Sequence, residues 1–159
     1  MTISKTLSTA AKLRGEITVP GDKSLSHRAL MFNSLAKGTA HIKGLLDSDD
    51  TNSTIDCLQK FGVDIQRDSD GSILIFGKGM RALTEPIDIL DCGNSGTTMR
   101  LLSGICAGVS GISILTGDDS LRSRPMDRIV KPLTLMGAQI SARNNDSLCL
   151  LYTSDAADE

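Results

Sequence analysis

The chain has 159 residues, of which 40% are hydrophobic and 23% charged, and its formal net charge is −2. That is the size and balance of one ordinary globular domain, and the near-neutral charge excludes the broad basic excess of a nucleic-acid binder. No apolar run reaches the roughly 18 residues of a membrane-spanning helix, and "MTISKTLSTAAKLRGE" lacks the apolar core of a signal peptide, so a cytoplasmic protein is expected. Aromatic residues make up 3%, with no Trp and one Tyr, so the core must be aliphatic. Cys57, Cys92, Cys106 and Cys149 are widely spaced without a CxxC pair, and only two histidines accompany them. That pattern reads as reduced thiols used as small hydrophobes, with no metal site.

The first element is announced by "VPGDKSLSHRAL", Val19 to Leu30, where a Pro-Gly turn runs into a helix start near Ser24. Leu25, Ala29, Phe32 and Ala36 recur on one face, Leu30 and Met31 widen it, and Gly38 reads as the stop. "TAHIKGL" reads as a strand. "DSDDTNSTIDCLQKFG" offers Asp49 or Asp50 as an N-cap, Ile55, Leu58 and Phe61 as the apolar face, and Gly62 as the stop. "VDIQ" and "SILIFG" are strands joined by the turn "RDSDG". A second series follows. "NSGTTMRLLSGICAG" is a helix with Met99, Leu102, Ile105 and Cys106 on its face, and "ISILTG" is a strand. "RPMDRIVKPLTLMG" is a helix with Pro125 in its first turn and Pro132 as an interior obstacle. "AQIS" and "LCLLY" close the series, and His41 is expected to face solvent.

The two series share landmarks in one order: Arg28 answers to Arg100, "LAKGTAHI" to "CAGVSGISI", and "FGVDI" to "MGAQI". A βαβαββ unit is therefore expected twice, over about 24–78 and about 94–150, in an α/β fold of stacked units. Residues 1–20 lead into this domain of 21–150. The remaining "LYTSDAADE", 151–159, is acidic, small and polar. It reads as a disordered tail or the product of a mis-joined reading frame.

The chemistry concentrates at helix starts. Gly21, Asp22, Lys23, Ser24 and Ser26 open the first helix, and Gly93, Asn94, Ser95, Gly96, Thr97 and Thr98 open its counterpart. Glycine admits a ligand close to the backbone, first-turn amides point at it, and together they favour an anion. Lys23 adds a point charge and Arg28 a bidentate fork. A third segment, "DDSLRSRPMDR", gathers Arg122, Arg124 and Arg128, with Asp118 and Asp119 as surface partners. Three such places in a slightly acidic chain point to a ligand with more than one phosphate or carboxylate. His27 has no carboxylate partner visible in the sequence, and a packed or exposed helix position is expected for it. The "DSDD" run has the wrong spacing for a calcium loop.

"PGDKSLSHR", "LLDSDDT", "DCGNSGTTMRLL" and "LRSRPM", in this order, resemble the N-terminal part of the EPSP synthases, the 3-phosphoshikimate 1-carboxyvinyltransferases, from about Gly15 to about Ile140. The resemblance implies the inside-out α/β barrel of the enolpyruvyl transferases, with two of the expected repeats present. It implies transfer of the enolpyruvyl group of phosphoenolpyruvate to the 5-hydroxyl of shikimate 3-phosphate, with release of phosphate and without metal or organic cofactor. By the same resemblance, Lys23, Ser24 and Arg28 would hold shikimate 3-phosphate. Lys23, Asn94, Gly96 and Arg124 would serve phosphoenolpyruvate, with Gly96 in the region where glyphosate binds. The family's acid-base residues lie in sequence beyond this chain, so no catalytic residue is expected here and the chain alone is expected to be inactive. Full-length members are expected to be monomeric and to bind neither nucleic acid nor membrane. The alternatives are a UDP-N-acetylglucosamine enolpyruvyl transferase and a non-catalytic anion-binding fragment.

Overall fold

The computed structural model describes residues 4–6, 9, 12, 14–143 and 147–154, with Arg143 and 147–154 as backbone only. Its elements run α1 (Lys23–Leu35), β1 (Lys37–Ile42), α2 (Asp49–Lys60), β2 (Asp64–Arg67), β3 (Ile73–Lys78), a 3-10 turn (Met80–Ala82) and β4 (Leu90–Asp91). Then come α3 (Gly96–Cys106), β5 (Gly111–Thr116), α4 (Asp119–Arg122), α5 (Asp127–Leu135), β6 (Gln139–Arg143) and β7 (Ser147–Ser154).

The expected duplication is present in the strand order. The first sheet is ordered β1-β3-β2 and the second β4-β5-β7-β6. If β5, β6 and β7 are set against β1, β2 and β3, the order is the same, and these neighbours are antiparallel in both sheets. The second unit carries one more strand, β4, parallel to β5 at the edge. Its equivalent in the first unit is missing among the described residues: 14–22 form no strand, and Ile17 and Val19 lie exposed. β7 continues to Ser154, past the boundary expected at 150, with Leu151 opposite Ile114 and Ser154 opposite Gly111. The rest of the expected tail, 155–159, lies outside the described residues.

One aliphatic core serves both units. Leu30 and Met31 of α1, Cys57 and Leu58 of α2, and Met99, Leu102 and Ile105 of α3 pack with Ile65, Ile73 and Ile75 of the first sheet and Leu90 and Leu115 of the second. The helices therefore lie against the inner faces of both sheets. The close fit of α1 on β3 depends on Gly77, where a Cβ would stand 2.4 Å from the carbonyl oxygens of both Asn33 and Ala36. Cys57, Cys92 and Cys106 are buried free thiols, as expected of small hydrophobes; the side chain of Cys149 lies outside the described residues.

Four local expectations are corrected. The buried face of α1 is Ser26, His27, Leu30, Met31 and Ser34, while Leu25 is 59% and Phe32 65% exposed. Serines can line this face because their hydroxyls return to the helix: Ser26 Oγ donates to the Asp22 carbonyl (2.8 Å) and Ser34 Oγ to that of Leu30 (2.7 Å). α1 ends at Leu35 without a glycine stop, and Gly38 lies within β1. The N-cap of α2 is Ser48, in a capping box with Thr51, which leaves Asp49 and Asp50 in the first turn, where the helix dipole favours them. The last helix of the second unit begins at Asp127, after the separate turn α4 and Pro125. Pro132 is inside α5, where it removes the N–H that would reach the Arg128 carbonyl.

Candidate anion-binding site

The start of α1 is less electropositive than the sequence suggests. Asp22 is its N-cap and accepts from the Leu25 amide at 2.7 Å, so a carboxylate already satisfies the helix dipole. This explains how Lys23 is tolerated beside it. Lys23 pairs with the Asp50 carboxylate in the first turn of α2 while keeping half of its side chain in solvent. An ion pair this exposed contributes about 0–1 kcal/mol, so its consequence is where it holds the ammonium. Ser24 and Arg28 lie on the outward side of the same helix, with Arg28 Nε donating to the Ser24 carbonyl at 3.3 Å.

The start of α3 is different. Ser95 is the N-cap, accepting from the Thr98 amide at 3.1 Å, and no acidic residue occupies the first turn. The turn before it is tied down. Gly93, at φ 55°, accepts from the Asp118 amide at 2.8 Å through its carbonyl, and its own amide donates to Asp91 Oδ1 at 2.9 Å. Gly96 is buried because two guanidinium groups crowd its Cα. A Cβ there would stand 2.7 Å from Arg100 Nη1 and 3.1 Å from Arg124 Nη1. Two forks thus converge on the glycine that opens a helix, an arrangement that suits a carboxylate or phosphate.

Asn94 sets the aim of Arg124. Its Oδ1 accepts from Arg124 Nη2 at 2.8 Å, while its Nδ2 donates to Asp118 Oδ2 at 2.6 Å. Asp118 also caps α4 by accepting from the Leu121 amide at 2.7 Å. The Asn94 amide, then the Leu121 N–H, hold the Asp118 carboxyl below the usual carboxylate range. Asp118 is therefore an ionised anchor for the amide that orients Arg124. Arg122 is turned to Asp119 and Arg128 is exposed, so of the three arginines in that segment only Arg124 reaches Gly96.

Buried hydroxyls join the start of α3 to α2. Thr98 Oγ1 is 2.7 Å from Ser95 Oγ, 2.8 Å from Thr54 Oγ1 and 3.2 Å from the Asp50 carbonyl. Asp50 holds Lys23 through its carboxylate, so Lys23 of α1 is tied through α2 to the α3 turn. Of the residues expected from the sequence, Lys23, Asn94, Gly96 and Arg124 belong to this connected cluster, with Ser24 and Arg28 one exposed turn along α1. Arg100, Asp50 and Asp118 were not foreseen. The signal for Arg100 was its correspondence to Arg28 across the repeat. No group of His, Cys, Asp and Glu suited to a metal occurs among the described residues.

The class defined by this fold and site is a repeated α/β protein that gathers two arginine forks at the start of one helix. The match to known proteins is specific. The family model for EPSP synthase (3-phosphoshikimate 1-carboxyvinyltransferase) covers residues 7–153, and the chain belongs to that family. It is 54% identical over 143 residues to the 3-phosphoshikimate 1-carboxyvinyltransferase of Herpetosiphon aurantiacus, a match that covers 90% of this chain and 33% of the relative. It is also 54% identical over 140 residues to that of Alkaliphilus metalliredigens, covering 88% of this chain and 33% of the relative. The solved EPSP synthase of Acinetobacter baumannii superposes with a TM-score of 0.85 at 45% identity, covering 89% of this chain and 32% of that one. The chain thus spans about a third of the length of the relatives it matches. The matches bear out the family read from the sequence motifs.

Proposed function

We propose that this chain supplies the N-terminal share of a carboxyvinyl transfer site, binding phosphoenolpyruvate at the α3 turn and shikimate 3-phosphate along the start of α1. The observation that carries this reading is the convergence of Arg100 and Arg124 on Gly96, with Lys23 tied toward the same turn through Asp50. Phosphoenolpyruvate carries a carboxylate and a phosphate. Arg124, steered by Asn94, offers a planar fork to one of them, and Arg100 offers a second. Lys23, the first residue of α1, places a mobile ammonium where it contacts both substrates. Ser24 Oγ and the Arg28 guanidinium, both exposed on that helix, take the phosphate of shikimate 3-phosphate.

The residues of this cluster bind and orient. Asp50 and Asp118 serve as counter-ion and anchor, and His27 is closed off from solvent. Addition to the enol carbon needs a proton at the methylene carbon and loss of one from the attacking hydroxyl, and we assign both transfers to groups outside this cluster. Thermal-shift titration tests the binding role, because a ligand that binds the folded form alone raises its stability as concentration passes Kd. Shikimate 3-phosphate should raise the melting temperature of the unaltered chain, phosphoenolpyruvate should raise it further, and Lys23→Ala should reduce both shifts. Equal shifts in Lys23→Ala would refute the assignment of Lys23. Release of phosphate from the substrate pair by the chain alone would overturn the restriction to binding.

A further inference from the structure

We propose that His27 is a positioning residue: as an Nδ1–H donor it orders the buried hydroxyl chain Thr54–Thr98–Ser95, which fixes the α3 turn relative to α1 and α2. The functional consequence rests on the anion-binding reading of that turn; the ordering itself does not. His27 is fully buried, its Nδ1 lies 2.8 Å from Thr54 Oγ1, and its Nε2 has no hydrogen-bond partner among the described residues. Those facts choose between the two neutral tautomers. If Nδ1 accepted from Thr54, the proton would sit on Nε2 as a buried donor with nothing to receive it. If Nδ1 donates, the orphan is only a lone pair, the less costly of the two.

A donating Nδ1 then gives the chain its direction. Thr54 Oγ1 accepts from the ring and turns its own hydrogen to Thr98 Oγ1 at 2.8 Å, and Thr98 donates in turn to Ser95 Oγ at 2.7 Å. Each hydroxyl has one hydrogen to give, and the two shorter contacts set this order ahead of the longer reach of either threonine to the Asp50 carbonyl at 3.2 Å. The members come from the starts of α1, α2 and α3, the segments that carry Lys23, Asp50 and Gly96. Burial first, and the Lys23 charge second, push the His27 pKa below its ordinary value, which keeps the ring neutral as this role requires.

Three measurements decide the matter. Long-range ¹H–¹⁵N NMR of the unaltered chain should show His27 protonated at Nδ1 and bare at Nε2 at neutral pH, with exposed His41 as the reference; an Nε2–H ring overturns the proposal without any variant. Next, amide hydrogen exchange at Thr98 and Met99, whose amides donate to Ser95, should quicken about fivefold in His27→Ala, the factor expected for one lost hydrogen bond of ordinary strength. His27→Asn, which keeps an N–H donor near the Nδ1 position, should restore it, while β1–β3 amides stay unchanged. Equal acceleration in the β1–β3 amides, or no rescue by asparagine, overturns the positioning role. Finally, phosphoenolpyruvate titration should show weakened binding in His27→Ala and recovery in His27→Asn, and unchanged affinity in His27→Ala would contradict the functional consequence. If the unaltered chain binds no phosphoenolpyruvate, the anion-site reading fails, and the tautomer and exchange results still judge His27.

Discussion

Replacing Gly96 with alanine separates binding from stability at one atom. The added Cβ would lie 2.7 Å from Arg100 Nη1 and 3.1 Å from Arg124 Nη1. A relaxed contact needs about 3.5 Å, so Arg100 must retreat by about 0.8 Å and Arg124 by about 0.4 Å. Both atoms end flexible side chains, and Gly96 has no positive φ, so the fold absorbs the change. Alanine also suits a helix better than glycine by up to about 1 kcal/mol, which in a chain of this length moves the melting temperature by about 0 to +4 °C. Binding responds in the opposite sense. Charge-assisted hydrogen bonds contribute about 1.5–3 kcal/mol each, and displacing the forks from a carboxylate should weaken phosphoenolpyruvate by about tenfold to a hundredfold. Thermal melting and calorimetric titration on the same preparation measure both. A loss of more than about 2 kcal/mol in stability, or unaltered affinity, would refute the reasoning.

Phe32→Glu should reduce self-association of the chain in sedimentation velocity, because Phe32 and Leu25 form an exposed apolar stripe on α1; an unaltered chain that sediments as a clean monomer would contradict this. Gly77→Ala should destabilise by about 1–3 kcal/mol or more in urea melts, since the methyl meets two backbone carbonyls that cannot swing away. Stability should fall as pH drops from 6.5 toward the lowered His27 pKa, because in that window the unfolded chain binds the proton that the folded one refuses. The pH dependence of the denaturant midpoint should flatten there in His27→Asn. Burial pushes the Cys106 thiol up to about 12 and raises Cys92 as well, the latter through its contact with Cys57 first and burial second. Native-state alkylation at pH 8, read by peptide mass spectrometry, should leave these two thiols, and Cys57 by its burial, unlabelled until the chain unfolds.

What the sequence disclosed follows from which forces are local. The glycine after Phe61, the hairpin turn at "RDSDG" and the matched order of landmarks are local signals, and the repeated strand order bears them out. The face of α1 was misread because periodicity counts apolar residues, whereas this helix buries serines and a histidine whose hydrogen bonds cannot be seen in one dimension. The helix near Pro125 was placed too early because Asp118, an acidic cap, starts a separate turn at α4. At the site, Lys23, Asn94, Gly96 and Arg124 were legible from helix-start composition and family motifs. Arg100 was marked only by its correspondence to Arg28, because its place beside Gly96 is set by the path of α3. Asp50, read from sequence as a cap, proved to be the counter-ion of Lys23.

Chemical-shift mapping of the ¹⁵N-labelled chain with shikimate 3-phosphate and phosphoenolpyruvate tests most directly whether the starts of α1 and α3 form one anion site. The Lys23–Arg28 and Gly93–Thr98 amides should move together and saturably, with little movement in the β2–β3 hairpin and loss of the response in Lys23→Ala and in Arg124→Ala. Shifts scattered over surface lysines and unaffected by either substitution would contradict it, as would the absence of any shift at saturating ligand.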